Sequence, residues 1–264
     1  MQNFYQTCAQ AIHKSRITDK MVTDHKKIDR LQFDDHLIWI KRSEATRSNI
    51  FHKMFYRLSR LKVLIPVEHK TAHQSLEFEV SKLKSLAAID VPVPRVVGHD
   101  TQFLFLKDTG TDLRQYLKNN ELSQTHKEKT IIQALMVLCQ IHNSGNYHAG
   151  AQIKNYTISE QGISAIDFED SFANCYSLED IQFRDFFLFL FSLTTISNDV
   201  IYQEAIDVYL SKTGNENIKV RLKKIARTTI PLLKTIEFLS NSKHLHLGHD
   251  VMGAYTLLSF LAGI

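Results

Sequence analysis

The stretch Ile141–Asp170, IHNSGNYHAGAQIKNYTISEQGISAIDFED, is where side chains able to do chemistry fall in a usable order. A polar loop carries His148, Gln152, Lys154 and Asn155. Two β-rich arms then flank Glu160-Gln161-Gly162, which predicts a hairpin over 156–167. A hairpin returns its far end to its start, so Asn155 and Asp167, just outside the two arms, are expected side by side. A carboxamide oxygen next to a carboxylate is a hard-oxygen pair suited to Mg²⁺, which completes its shell with water and phosphate. Asp167 follows the apolar arm ISAI, where an unpartnered carboxylate would be costly to bury. Asn155 also suits a plain loop turn.

The elements that must position these residues can be read from periodicity. A long helix over 124–144 ends near Gly145, ahead of the polar loop. Residues 28–42 read as two short strands joined at Asp34-Asp35, with Lys41 near the end of the second. Leu76, Val80, Leu83 and Leu86 make one face of a helix over 71–88 that also bears Glu77 and Glu79. Pro92 and Pro94 prevent its continuation. RVVGHDTQFLFLKD predicts two strands about Gly98-His99-Asp100, and 112–118 a helical turn. Helices are also expected over 3–16, 44–61, 178–197, 200–212, 216–240 and 249–262. A small mixed half therefore precedes a helical half, with the join in the polar segment at 107–112.

In this order the motifs resemble those of the protein-kinase-like superfamily over about residues 28–200. His148 and Asn155 have the separation of the catalytic-loop pattern, and Asp167-Phe168 follows a hairpin as the metal motif does. Ile38-Trp39-Ile40-Lys41 resembles the strand with the phosphate-binding lysine, and Glu79 its ion-pair partner, with Glu77 the fallback. Arg184-Asp185, opening the apolar helix, resembles the site of the buried Asp that braces the catalytic loop. The nearest likeness is to lipopolysaccharide core (Kdo/heptose) kinases and small atypical bacterial kinases.

The resemblance implies an α+β, two-lobed protein-kinase-like fold. A reduced mixed α/β N-lobe would span 1–107 and a mainly helical C-lobe 108–264. It implies ATP and Mg²⁺ as cofactors, with Lys41, Glu79 and Asn155 holding the nucleotide and Asn155 and Asp167 the metal. The implied reaction is phosphoryl transfer to a lipopolysaccharide-core sugar hydroxyl or a protein hydroxyl. The sequence departs from the pattern at Gly150, where the usual catalytic Asp is absent, at Glu169, where Gly is usual, and in lacking a glycine-rich loop before Lys41. Asp170 or Glu169 is then the expected substitute carboxylate, with Asp167 and Asp170 the catalytic pair. The alternative is a pseudokinase, a nucleotide-binding regulatory module that transfers nothing.

The 264 residues are 44% hydrophobic and 23% charged with 9 Gly and 4 Pro, which excludes collagen-like, disordered and small disulfide-scaffold classes. Three cysteines without metal spacing fit a reducing compartment. The longest apolar run, FFLFLFSLTTI at 186–196, falls short of the ~20 residues a span needs and reads as a core helix. A cytoplasmic location, with peripheral contact at the inner membrane face, is the expectation. Net charge is +4, but residues 1–70 hold 14 Lys+Arg against 7 Asp+Glu. Arg42, Arg47, Arg57 and Arg60 could therefore meet an anionic lipopolysaccharide precursor. The basic helix 217–230 reads as a solvated face or a membrane-surface segment. Nucleic acid is not an expected partner, because no basic–aromatic ladder is present. His244, His246 and His249 lack a clear third ligand for a metal.

Overall fold

A computed structural model describes residues 17–33, 36–46, 61–194, 196, 199–242 and 249–264. Strands β1 (Ile28–Phe33), β2 (His36–Arg42), β3 (Val96–His99) and β4 (Phe103–Lys107) form an antiparallel sheet in the order β1-β2-β4-β3. Lys41 pairs with Ile28 on one side and Leu104 on the other. The β3–β4 turn is held by Asp100, whose Oδ1 accepts from Gln102 N at 2.7 Å and Phe103 N at 2.8 Å. The expected joining residues, Asp34 and Asp35, lie outside the described residues.

Alternation along β2 decides which side chains reach the site. Ile38 and Ile40 point to one face, where they pack with Val97, Phe103, Phe105 and Met21 of α1 (Ile17–Thr23). A period of two then places Trp39 and Lys41 on the opposite face.

Helix α2 (Ala72–Ala87) opens on a capping box: Thr71 Oγ1 accepts from Gln74 N, and the Gln74 side chain accepts from Thr71 N. Its apolar stripe is buried as the periodicity predicts, and Glu79 is buried on the same face. A helical turn α3 (Leu113–Leu117) leads to α4 (Gln124–Asn143), N-capped by Ser123. Strands β5 (Thr111–Asp112), β6 (Tyr156–Ser159) and β7 (Gly162–Ala165) make a second antiparallel sheet that contains the expected hairpin.

Helices α5 (Leu178–Ser192), α6 (Asp199–Thr213), α7 (Asn217–Ser242) and α8 (His249–Gly263) complete the chain. The expected helix 178–197 stops at Ser192. Ser192 Oγ donates to Phe189 O at 2.7 Å and accepts from Ile153 N at 2.9 Å, and β-branched threonines follow. One core joins the stripe of α2 to α4, α5, α6 and α8. In it Phe183, Phe186 and Phe189 are fully buried, each worth about 1.5–3 kcal/mol relative to exposure. The expected helix 3–16 and most of 44–61 lie outside the described residues. Among the described residues, no helix is long and apolar enough to cross a membrane.

Candidate functional site

Lys41 is the centre of a cluster built from three elements. Its Nζ lies 2.9 Å from Glu79 Oε2 and 3.0 Å from Glu79 Oε1 on α2. It also lies 2.6 Å from Asp167 Oδ1, at the foot of the hairpin. Glu169 Oε2 is 3.0 Å away. Burial would push the Lys41 ammonium down, but the three carboxylates outweigh it and hold the group charged. Glu79 is raised by its own burial, with Asp167 and Glu169 adding like charge against the pull of Lys41. Asp167 sits below the usual carboxylate range: its burial opposes this, but Lys41 overrides it. Glu77, the fallback partner, is exposed and lies 3.6 Å from His99 Nδ1 instead.

The turn that presents Asp167 is tightly determined. Asp167 has φ +70°, a left-handed conformation that aspartate tolerates better than most residues. Ile166 N donates to Asn155 O at 2.9 Å, which closes the hairpin base and sets the two residues on one cleft. Phe168 turns inward, stacked on His148 with ring centroids 4.5 Å apart. Phe168 N donates to Glu79 Oε1 at 3.3 Å.

The loop before Asn155 is held from below. Asp185 is fully buried on α5, and its Oδ2 accepts from His148 N at 2.6 Å and Ala149 N at 3.0 Å. Arg184 donates through Nη1 to Ala149 O. His148 Nδ1 accepts from Gly150 N at 3.3 Å. Burial depresses the His148 pKa, so the ring is neutral and structural. Asn155 Nδ2 donates to Gly150 O at 2.7 Å, which commits the amide nitrogen and leaves Oδ1 without a hydrogen bond among the described residues.

The cleft itself has a volume of about 370 Å³. Trp39, Leu106 and Pro94 supply apolar walls, and Lys41, Asp112, Lys154, Asn155 and Asp167 supply polar groups. A segment between the two sheets closes one side. Asp108 Oδ1 accepts from Trp39 Nε1 at 2.5 Å and its Oδ2 from Gly110 N at 3.1 Å. The oxygens left uncommitted, Asn155 Oδ1 and Asp167 Oδ2, are hard donors of the kind Mg²⁺ takes, with the rest of its shell coming from water and phosphate.

No family model matches the chain. A protein of Haemophilus influenzae (strain Rd), described as uncharacterized, is 25% identical over 176 residues, which is 66% of this chain and 66% of that protein. The match thus spans about two thirds of the relative's length. Among solved structures, WaaP in complex with acyl carrier protein aligns with 81% of this chain and 83% of its own at 15% identity, with a TM-score of 0.43. At these levels of likeness it is the geometry of the cleft that bears on function.

Lys41, Glu79 and Asp167 therefore meet, and Asn155 lines the same cleft. Asp170 does not line it. It is half-buried, and burial together with the neighbouring Glu169 raises its pKa against the opposing charges of Arg184 and Lys70. Arg47, Arg57, Arg60, His244 and His246 lie outside the described residues. No cluster of His, Cys, Asp or Glu arranged to hold a metal occurs among the described residues. Sequence reasoning missed Lys70. It is buried, with Nζ 2.5 Å from Glu169 O, 2.9 Å from Ser171 Oγ and 4.0 Å from the centroid of Phe78. It also missed the Glu169 side chain as a partner of Lys41.

Proposed function

We propose that this chain is a kinase-like phosphotransferase that binds ATP with Mg²⁺, with an N-lobe of 1–107 and a C-lobe of 108–264 in a protein-kinase-like arrangement. The observation that carries this reading is the convergence of Lys41, Glu79, Asn155 and Asp167, which are 76 or more positions apart between their two chain segments, on one cleft. Lys41 binds phosphate oxygens, and Glu79 holds the ammonium in place from the buried side. Asn155 Oδ1 and the Asp167 carboxylate hold the metal. Trp39, Leu106 and Pro94 take the flat apolar part of the nucleotide. Bound Mg²⁺ neutralises charge on the transferring phosphoryl group. Transfer of this kind depends mainly on positioning and charge neutralisation, which these residues supply.

The proposed acceptor is a sugar hydroxyl of a lipopolysaccharide-core precursor, or else a protein hydroxyl, met at the cytoplasmic face of the membrane. Asp170, three residues beyond Asp167 on the same loop, is the proposed acceptor-side base in place of the carboxylate missing at Gly150. The second reading is a pseudokinase, favoured by the lack of any side chain at Gly150. Calorimetric titration with ATP, with and without Mg²⁺, tests the site. Metal-dependent binding by the native chain that is lost in Asp167→Ala is the expected result, and no binding by the native chain under either condition overturns the proposal. A silent acceptor panel alongside intact ATP binding selects the pseudokinase.

A further inference from the structure

The surroundings of Lys41 hold one carboxylate more than a phosphate-binding lysine needs. An ammonium has three N–H groups. Here Glu79, Asp167 and Glu169 all lie within ion-pairing distance of them, at 2.9, 2.6 and 3.0 Å. The carboxylates outnumber the cation three to one. Glu79 is fixed, since its side chain is 4% exposed and also accepts from Phe168 N. Glu169 is different. Its side chain is 30% exposed, and Lys41 is its one ion-pair partner among the described residues.

The backbone beneath Glu169 is anchored independently of that contact. Its carbonyl accepts from buried Lys70, which also donates to Ser171 Oγ; Ser171 in turn donates to Glu68 Oε2 at 3.0 Å. A rotation of the Glu169 side chain alone therefore breaks its ion pair with Lys41 without moving the loop, a motion on the scale of a rotamer change.

We propose that the Glu169 carboxylate stands in for a phosphate on Lys41 and so makes nucleotide entry conditional on a divalent cation. Without metal, a polyphosphate must displace Glu169 and approach a site where negative charge is in excess. With metal, that excess is offset and the exchange of carboxylate for phosphate becomes favourable. The inference rests on the nucleotide-binding reading above and adds a regulatory contact to it.

The test is ATP titration of the full chain in EDTA and in excess Mg²⁺, for the native protein, Glu169→Gln and Glu169→Asp. Glu169→Gln removes the charge. Glu169→Asp keeps it but shortens the reach by one methylene. In EDTA, Glu169→Gln is expected to bind ATP at least tenfold more tightly than the native chain, with Glu169→Asp between them. In Mg²⁺ the three should converge. Native binding in Mg²⁺, together with variants that match the native chain within twofold in EDTA, would overturn the lock and leave the nucleotide site standing. Absence of binding by all three proteins in both buffers would overturn both.

Discussion

Asp185 Oδ2 accepts two consecutive backbone N–H groups, from His148 at 2.6 Å and Ala149 at 3.0 Å, in a fully buried site. Ala149 has φ +80°, so this loop is held in a conformation it would not choose alone. Asp185→Ala leaves both donors unpaired, at about 1–3 kcal/mol each. The expected loss by urea denaturation is about 3–5 kcal/mol. Asp185→Asn retains an acceptor oxygen and should lose about half as much. A loss under about 1 kcal/mol for the alanine variant would show that the carboxylate does not brace the loop.

Gly110 has φ +104°, and a Cβ there would lie 2.0 Å from Ile158 O, a backbone atom of β6. Neither problem can be relieved by turning a side chain. Backbone strain and overpacking each cost roughly 1–3 kcal/mol, so Gly110→Ala should destabilise the chain by about 3 kcal/mol. Its melting temperature should fall accordingly. Gly145 is the control: its φ is also positive, but nothing lies within 4 Å of an added Cβ. Gly145→Ala should therefore cost less than half as much.

Lys82 ties the helix that bears Glu79 to the loop ahead of His148. Its Nζ donates to Asn146 Oδ1 at 3.1 Å and lies 4.1 Å from the Tyr147 ring centroid. Burial lowers its pKa to about 8, from an ordinary value of 10.5. Between those two values the unfolded chain binds more protons than the native one. The contribution of Lys82 to stability therefore rises with pH across that window and is flat below it. Urea denaturation at pH 7 and pH 10 should show native stability gaining relative to Lys82→Met as pH rises. A constant difference between the two proteins would place the pKa at its ordinary value.

What could be read from the sequence was set by periodicity. Alternation in β2 puts Lys41 opposite the Ile38–Ile40 face, and the 3.6-residue stripe of α2 distinguishes buried Glu79 from exposed Glu77. The hairpin at 156–167 fixes the proximity of Asn155 and Asp167 before any coordinates are known. Lys70 and Glu169 carry no such signal. Lys70 stands in an irregular segment whose isolated pairing, Thr46 with Lys70, has no repeat behind it. The direction of Glu169 depends on the left-handed turn at Asp167, which a sequence pattern does not specify. Strand β5 is two residues long, and its place beside β6 follows from tertiary contact rather than propensity.

Gly150 is where the site departs furthest from the kinase-like pattern, and its backbone does not require glycine. It is not among the positive-φ residues, and an added Cβ would meet only Asn155 Nδ2, at 3.2 Å. That contact asks the Asn155 side chain to give by a few tenths of an ångström. Gly150→Asp should therefore fold, with a stability change within about 1 kcal/mol. If the lack of a base limits transfer, the new carboxylate should raise single-turnover phosphoryl transfer by roughly 10²–10⁴-fold, with little change in nucleotide affinity. If instead Asp170 already serves the acceptor hydroxyl, Gly150→Asp changes the rate by less than about threefold and Asp170→Asn abolishes it. Measuring both variants in one acceptor assay therefore assigns the base.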